Sequence, residues 1–249
     1  MIDLHCHVLP GVDDGPRALT DALALARVAA SAGTTTLVAT PHINRHWPLD
    51  PLEVPARVAA LQEQLDANGI ALELRAGGEI AIPRLPELSS DELDALRLGG
   101  GPYVLLECPL EPATWDFDAV LLRLRERGES ILLAHPERCP LFQREPERLA
   151  RLVDAGLLCS ITAGSMWGQF GELVRVFTAE ILRAGLVHDV ASDAHSSERR
   201  PPGIGQAFVQ MESYLPGISE QAEWLTRLVP AAILSGEPLP PCPGARPAR

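Results

Sequence analysis

Residues 1–16 read MIDLHCHVLPGVDDGP. Ile2–Leu4 is short and mostly apolar and runs into His5 and His7, which predicts a β-strand carrying an H-x-H pair at its C-terminal end. Side chains at i and i+2 of a strand share a face, so both imidazoles can reach one ion. Pro10-Gly11 then turns the chain toward Asp13 and Asp14. Two readings of this opening compete: polar residues near a frayed terminus, or the first ligands of a metal centre.

Moving outward, short apolar runs alternate with helical patterns. Strands are predicted at Ile2–Leu4, Thr35–Ala39, Leu72–Ala76, Tyr103–Glu107, Ser130–Ala134, Leu157–Ile161 and Val187–Ala191. Helices are predicted at Arg17–Ser31, Leu52–Asn68, Ser89–Arg97, Trp115–Arg127, Pro146–Ala155, Phe170–Ala184 and Glu220–Ser235. Gly33, Gly69, Gly128, Gly156 and Gly185 supply helix stops. This rhythm predicts parallel strands with helical crossovers, as an open sheet or a closed barrel. One domain is expected over residues 1–236, and the proline-rich segment 237–249 is expected to be a mobile tail.

The chemistry falls at one end of the predicted strands. His5 and His7 end the first and His42 follows the second. Glu79 follows the third, Glu107 ends the fourth and His135 follows the fifth, while Asp193 and His195 in VASDAH follow the last. In a parallel barrel these ends meet at one mouth. Taken singly each has a plain explanation: His42 as a loop residue, Glu79 as a turn cap, Glu107 as a buried acid paired with an arginine. Together they form a set of oxygen and imidazole donors without organised thiolates, which suits Mn²⁺, Fe²⁺, Zn²⁺ or Mg²⁺. With Asp14 they are too many for one ion and suit a cluster of two or three.

The bulk properties narrow the remaining classes. The chain has 249 residues, 46% of them apolar, enough for a sizeable core. A net charge of −12 makes nucleic acid a poor partner. All 21 basic residues are arginine, which excludes lysine Schiff-base chemistry. Five cysteines with no C-x-x-C spacing suit reduced thiols in a cytoplasm. Neither a signal peptide nor a membrane span is expected. A thiolate phosphatase loop, C-x5-R, is not formed, because CPLFQR from Cys139 to Arg144 is one residue short and its proline removes a donor. A G-x-S-x-G serine elbow is also missing, since Gly164 directly precedes Ser165 in TAGSMWG.

The motifs MIDLHCHVLPGVDDGP, ATPH, GGEI, LLE, LAHPER and SDAH resemble the motif set of the PHP (polymerase and histidinol phosphatase) superfamily. Within it, HVLPGVDDG, TAGSMWGQFG and SDAHSSERRPP most resemble the metal-dependent protein tyrosine phosphatases of bacterial capsule and exopolysaccharide loci, the CpsB/CapC type. The resemblance spans residues 1–207 and implies a distorted (β/α)7, TIM-like barrel of the PHP fold holding three divalent ions, manganese first. It implies that His5, His7, Glu79 and Asp193 hold one ion. Glu79 would bridge to a second ion, completed by Glu107 and His135, and Asp14, His42 and His195 would hold the third. Asp13 would support the loop. Arg138 and Arg200 match the phosphate-binding arginines, with Arg199 as a neighbour.

The implied reaction is hydrolysis of phosphotyrosine in a protein, with a bacterial tyrosine kinase controlling polysaccharide synthesis as the expected substrate, by attack of a metal-bridging hydroxide. The alternatives are a small-molecule phosphomonoesterase of the histidinol-phosphate type and a noncatalytic metal-binding regulator. Cys6, Cys139 and Ile43 depart from the family pattern; Cys6 is expected to point away from the ions, and Cys139 and Ile43 are expected at the mouth.

Overall fold

Seven staves of parallel strand, wrapped by helices, make up the computed structural model, which describes residues 1–111 and 115–243. The first stave is β1 (Ile2–Cys6). The second is β2 (Thr36–Ala39), resumed as β3 (His42–Ile43), and the third is β4 (Glu73–Ala76), resumed as β5 (Glu79–Ala81). β6 (Tyr103–Glu107), β7 (Ser130–Ala134), β8 (Leu158–Thr162) and β9 (Asp189–Ala191) complete the set. Two parallel sheets result, in the orders β1-β2-β4 and β3-β5-β6-β7-β8-β9. The barrel closes where Cys6 bridges Ala194 in parallel, with His7 N–H donating to the Ala194 carbonyl at 2.9 Å. It closes again where Asp193 N–H donates to the His5 carbonyl at 2.8 Å.

The second and third staves are predicted as single strands, and the structure splits both. Pro41 has no N–H to continue the ladder. At Gly77 and Gly78 the chain passes so close to its neighbours that a Cβ would lie 2.8 Å from Val38 and 2.6 Å from Leu96. The breaks re-aim the chain, so that His42 and Glu79 enter the barrel mouth side by side, paired in register across β3 and β5.

The helices are α1 (Leu19–Ser31), α2 (Val54–Ala67), α3 (Ser90–Ala95), α4 (Phe117–Glu126), α5 (Pro140–Arg144) and α6 (Pro146–Asp154), followed by α7 (Ala163–Met166), α8 (Glu172–Arg183), α9 (Ile204–Met211) and α10 (Val229–Ser235). α5, α7 and α9 are not anticipated in the sequence reading; each has eight residues or fewer, too short for a clear apolar period. α1 buries Ala22, Leu25, Ala26 and Ala29, the one-stripe spacing of a helix lying on a sheet. Along β1, Leu4 and Cys6 join the apolar layer under the helices, and Asp3, His5 and His7 face inward. Of the expected tail, residues 237–243 lie against the barrel: Leu239 packs on the core and Trp224 Nε1 donates to the Pro240 carbonyl at 3.0 Å. Residues 244–249 fall outside those described.

Candidate metal centre

The inward side chains at the strand ends converge. His5 and His7 meet with their Nε2 atoms 3.2 Å apart, as the H-x-H spacing requires. Four overlapping groups of potential ligands form: His7, Asp14, His42 and His195; His5, His7 and Asp193; His5, Glu79 and His135; and His42, Glu79 and Glu107. Every ligand position expected from the sequence is in at least one group.

Glu79 is the hub. Its Oε1 lies 2.7 Å from His135 Nε2. Its Oε2 lies 3.4 Å from His5 Nε2, 3.3 Å from His7 Nε2 and 2.9 Å from His42 Nδ1. Yet this buried oxygen, like His42 Nδ1 and His195 Nε2, has no aligned hydrogen-bond partner. Leaving such atoms unsatisfied inside a protein costs about 1–3 kcal/mol each. Donor atoms about 2.1 Å from a shared ion, at near-tetrahedral or octahedral angles, sit about 3–3.4 Å from one another. The spacing around Glu79 is that of a cation cage, and the residues present fit divalent ions.

The supporting contacts fix ring orientations. Asp13 Oδ2 pairs with His7 Nδ1 at 2.8 Å and accepts from His42 N–H at 3.0 Å, leaving His7 Nε2 to face the cage. The Asp193 carbonyl, 2.9 Å from His195 Nδ1, does the same for His195, whose Nε2 lies 3.1 Å from Asp14 Oδ1. His135 and Asp193 are the two non-glycine residues with positive φ among those described, at 35° and 49°. Such strain costs about 1–3 kcal/mol and persists where the surroundings impose it.

Asp193 divides its carboxylate. Oδ1 faces His5 and His7 at 3.7 and 3.6 Å, while Oδ2 takes Arg138 Nη1 at 3.0 Å, Arg200 Nη2 at 2.7 Å and Thr162 Oγ1 at 3.2 Å. Arg199 is exposed, so Arg200 is the arginine that faces the centre. A cleft of about 770 Å³ opens beside it between segments 14–21 and 195–200. Ile43 and Cys139, expected at the mouth, are both buried in the core instead. Ile43 follows His42 in β3 and strand alternation turns it the other way, while Cys139 follows the 3₁₀ turn Pro136–Arg138 and its side chain enters the core. Cys6 also packs in the core, away from the centre, as expected.

The sequence reading misses two fully buried acids that brace these ligands. Asp3 Oδ1 accepts from the N–H groups of His5 at 3.3 Å and Ser192 at 3.0 Å, tying the first and last staves together. Glu137 Oε1 accepts from Thr162 N–H at 2.9 Å and Ser165 Oγ at 2.7 Å, and burial raises its carboxyl to about 7. The signal for Asp3 is its place two residues before His5, on the same strand face.

The charges within the site are strongly coupled. Burial opposes ionisation of Glu79, but His5, His135 and His42 hold its carboxyl well below the ordinary range. Burial likewise opposes ionisation of Asp193, and His5 and Arg200 outweigh it. Glu107 is pushed up to about 7 by burial and by the neighbouring Glu79 charge. Burial disfavours the His7 imidazolium, yet Asp13 and Glu79 raise its pKa well above 6.5, and Glu79 raises that of His42. A raised histidine stabilises the metal-free fold below about pH 6.5 and loses that contribution as pH climbs through its folded value. Metal ligation needs the neutral ring, so ions compete with these protons. Loading Mn²⁺ at pH 7 in weak buffer should release at least about one proton per chain, read with a pH indicator. Loading without proton release would mean that His7 is already neutral.

Residues 1–226 match the family model described as "Capsular polysaccharide synthesis, CpsB/CapC". The chain is 34% identical over 233 residues to the tyrosine-protein phosphatase YwqE of Bacillus subtilis, covering 91% of this chain and 92% of that protein. It is 28% identical over 220 residues to the tyrosine-protein phosphatase CpsB of Streptococcus pneumoniae, covering 84% and 88%. Among solved structures it superimposes with a TM-score of 0.83, at 30% identity and over 99% of this chain and 100% of the other, on one from a study of B. subtilis YwqE and S. pneumoniae CpsB described as unique metal-dependent tyrosine phosphatases. A β-aspartyl dipeptidase from Fervidobacterium islandicum, at 15% identity and TM-score 0.60 over 94% of this chain and 72% of that one, shares the fold alone.

Proposed function

Because this chain belongs to the CpsB/CapC family, we propose that its histidine–carboxylate centre is the active site of a metal-dependent protein tyrosine phosphatase, contained in a single catalytic domain over residues 1–236. The observation that carries this reading is the buried Glu79 Oε2, ringed by three imidazole nitrogens within 3.4 Å and hydrogen-bonded to none of them. Three divalent ions are assigned, manganese first, with iron, zinc or magnesium as alternatives. His5, His7, Glu79 and Asp193 would hold one; Glu79, Glu107 and His135 another; and Asp14, His42 and His195 the third. When bound, such ions supply a nucleophile at neutral pH and Lewis-acid stabilisation of the phosphoryl oxygens.

The chain's own residues do the rest. Asp13 holds the His7 ring and the Asp193 carbonyl holds that of His195, so both imidazoles present Nε2 without reorganisation. Arg138 and Arg200 each spend one nitrogen on Asp193 Oδ2, which leaves further N–H groups to grip the equatorial oxygens of the phosphoryl group. That charge is where the transition state needs it, and fixed donors cost no reorganisation during reaction. The local positive charge explains how a chain of net charge −12 accepts a phosphate dianion. Phenol, with a pKa of about 10, leaves with less help from an acid than an alkyl alcohol does.

The substrate assigned is a phosphotyrosyl protein, a bacterial tyrosine kinase of polysaccharide synthesis being the leading partner, and the assigned location is the cytoplasm. Among the described residues no helix is long and apolar enough to cross a membrane. The metal-loaded protein should turn over a phosphotyrosyl peptide at least about tenfold faster, in kcat/KM, than histidinol phosphate, a difference of about 1.4 kcal/mol in barrier. Rapid histidinol-phosphate release with negligible peptide turnover would replace this reading with the small-molecule one.

A further inference from the structure

The segment Thr162–Phe170, TAGSMWGQF, supplies none of the ligands, yet it touches both segments that carry the site arginines Arg138 and Arg200. Thr162 N–H and Ser165 Oγ hold Glu137, the residue before Arg138, at 2.9 and 2.7 Å. Thr162 Oγ1 reaches Asp193 Oδ2 at 3.2 Å. Gln169 Nε2 donates to the Arg199 carbonyl at 3.3 Å, next to Arg200. A Cβ at Gly203 would lie 2.9 Å from the Trp167 ring, so the loop after Arg200 packs directly on that indole.

Phe170 ends this segment. The Arg138 guanidinium carbon lies 4.2 Å from the Phe170 ring centroid and that of Arg200 lies 5.8 Å from it. Both arginines also share the single oxygen Asp193 Oδ2. Two guanidinium groups drawn to one oxygen repel each other, and one carboxylate oxygen sets a distance but not a plane. The electron-rich ring face offsets the repulsion and supplies the plane. The ring has a built seat: a Cβ at Gly164 would come within 3.2 Å of Phe170 Cε2, so α7, directly after β8, carries a residue that lets the ring close in.

We infer that Phe170 is a positioning residue for phosphate recognition, a platform that orients Arg138 and Arg200 with their remaining N–H edges toward the mouth. This rests on the phosphatase reading for its substrate, but it makes a separate statement about phosphate affinity. A platform acts on oxyanion binding and leaves the ion cage intact, whereas a general packing role would lower thermal stability and metal content together.

The test compares metal-loaded wild type with Phe170→Leu, which keeps apolar bulk without a π face, and with Phe170→Tyr, which keeps both. Inorganic phosphate binding is measured by calorimetry, alongside bound metal, melting temperature and, for the phosphotyrosyl peptide, KM and kcat. Phe170→Leu should weaken phosphate binding and raise KM about fivefold, the size of one cation–π contact at a partly exposed ring. Metal content and melting temperature should stay at wild-type values, and Phe170→Tyr should bind phosphate within about twofold of wild type. Wild-type phosphate affinity in Phe170→Leu, equal loss in Phe170→Tyr, or loss of metal along with phosphate would each overturn the inference. Wild-type protein that binds phosphate but leaves the peptide intact would instead overturn the phosphatase reading, with the Phe170 comparison still decided by calorimetry.

Discussion

Glu79→Gln should lower kcat/KM for a phosphotyrosyl peptide by at least about 10³-fold, or about 4 kcal/mol of transition-state stabilisation. The substitution keeps shape and volume and removes only the charge. In the wild-type protein His5 Nε2, His7 Nε2 and His42 Nδ1 surround Oε2, and His135 Nε2 lies 2.7 Å from Oε1. A carboxylate can bridge two ions through its two oxygens. An amide offers one neutral oxygen and turns an NH₂ donor toward nitrogens that must present lone pairs. Metal content should therefore fall together with activity, while the fold survives, because the apolar layer behind β5 is untouched. Steady-state kinetics beside metal analysis of the purified variant checks both. A variant within tenfold of wild type, with full metal content, would remove Glu79 from the centre.

Much of this was legible in residue order because two periodicities cooperate. Strand alternation places His5 with His7, and the strand–helix rhythm brings widely separated strand ends to one rim. Those two rules bring eight of the candidate ligands to one rim; Asp14, and its choice over Asp13, come from the resemblance to the PHP motif set. What stayed hidden depends on contacts between distant segments. The split at Gly77-Gly78 follows from close passage against Val38 and Leu96, which no local pattern announces. Asp3 and Glu137 look in sequence like ordinary surface acids, and only the closed barrel buries them. Phe170 resembles a residue at the start of an amphipathic helix, and its place under Arg138 emerges when segments 135–139 and 162–170 come together. Cys139 and Ile43, expected at the mouth as departures from the family motifs, lie in the core: strand alternation turns Ile43 away from His42, and Cys139 enters the core after the 3₁₀ turn that ends at Arg138.

Removal of the ions should have the largest effect of all. The donor set contains no thiol, lysine or serine nucleophile poised at the mouth. Cys6, Cys139 and Cys159 are buried, and burial raises all three thiols above their ordinary range. Without ions two imidazoles of the cage, His7 and His42, also gain affinity for protons, and Glu79 pairs with them. No nucleophile is then left at the centre, and only Arg138 and Arg200 remain to stabilise a pentavalent phosphoryl group. Turnover should fall by about 10⁴-fold or more, consistent with several kcal/mol of metal-supplied stabilisation together with loss of the nucleophile. The most direct measurement is phosphate release from a phosphotyrosyl peptide by protein stripped with chelator and dialysed, then titrated with Mn²⁺ while bound metal is counted. Activity at background after stripping, recovering as three ions bind per chain, is the predicted result; undiminished turnover by the metal-free protein would contradict it.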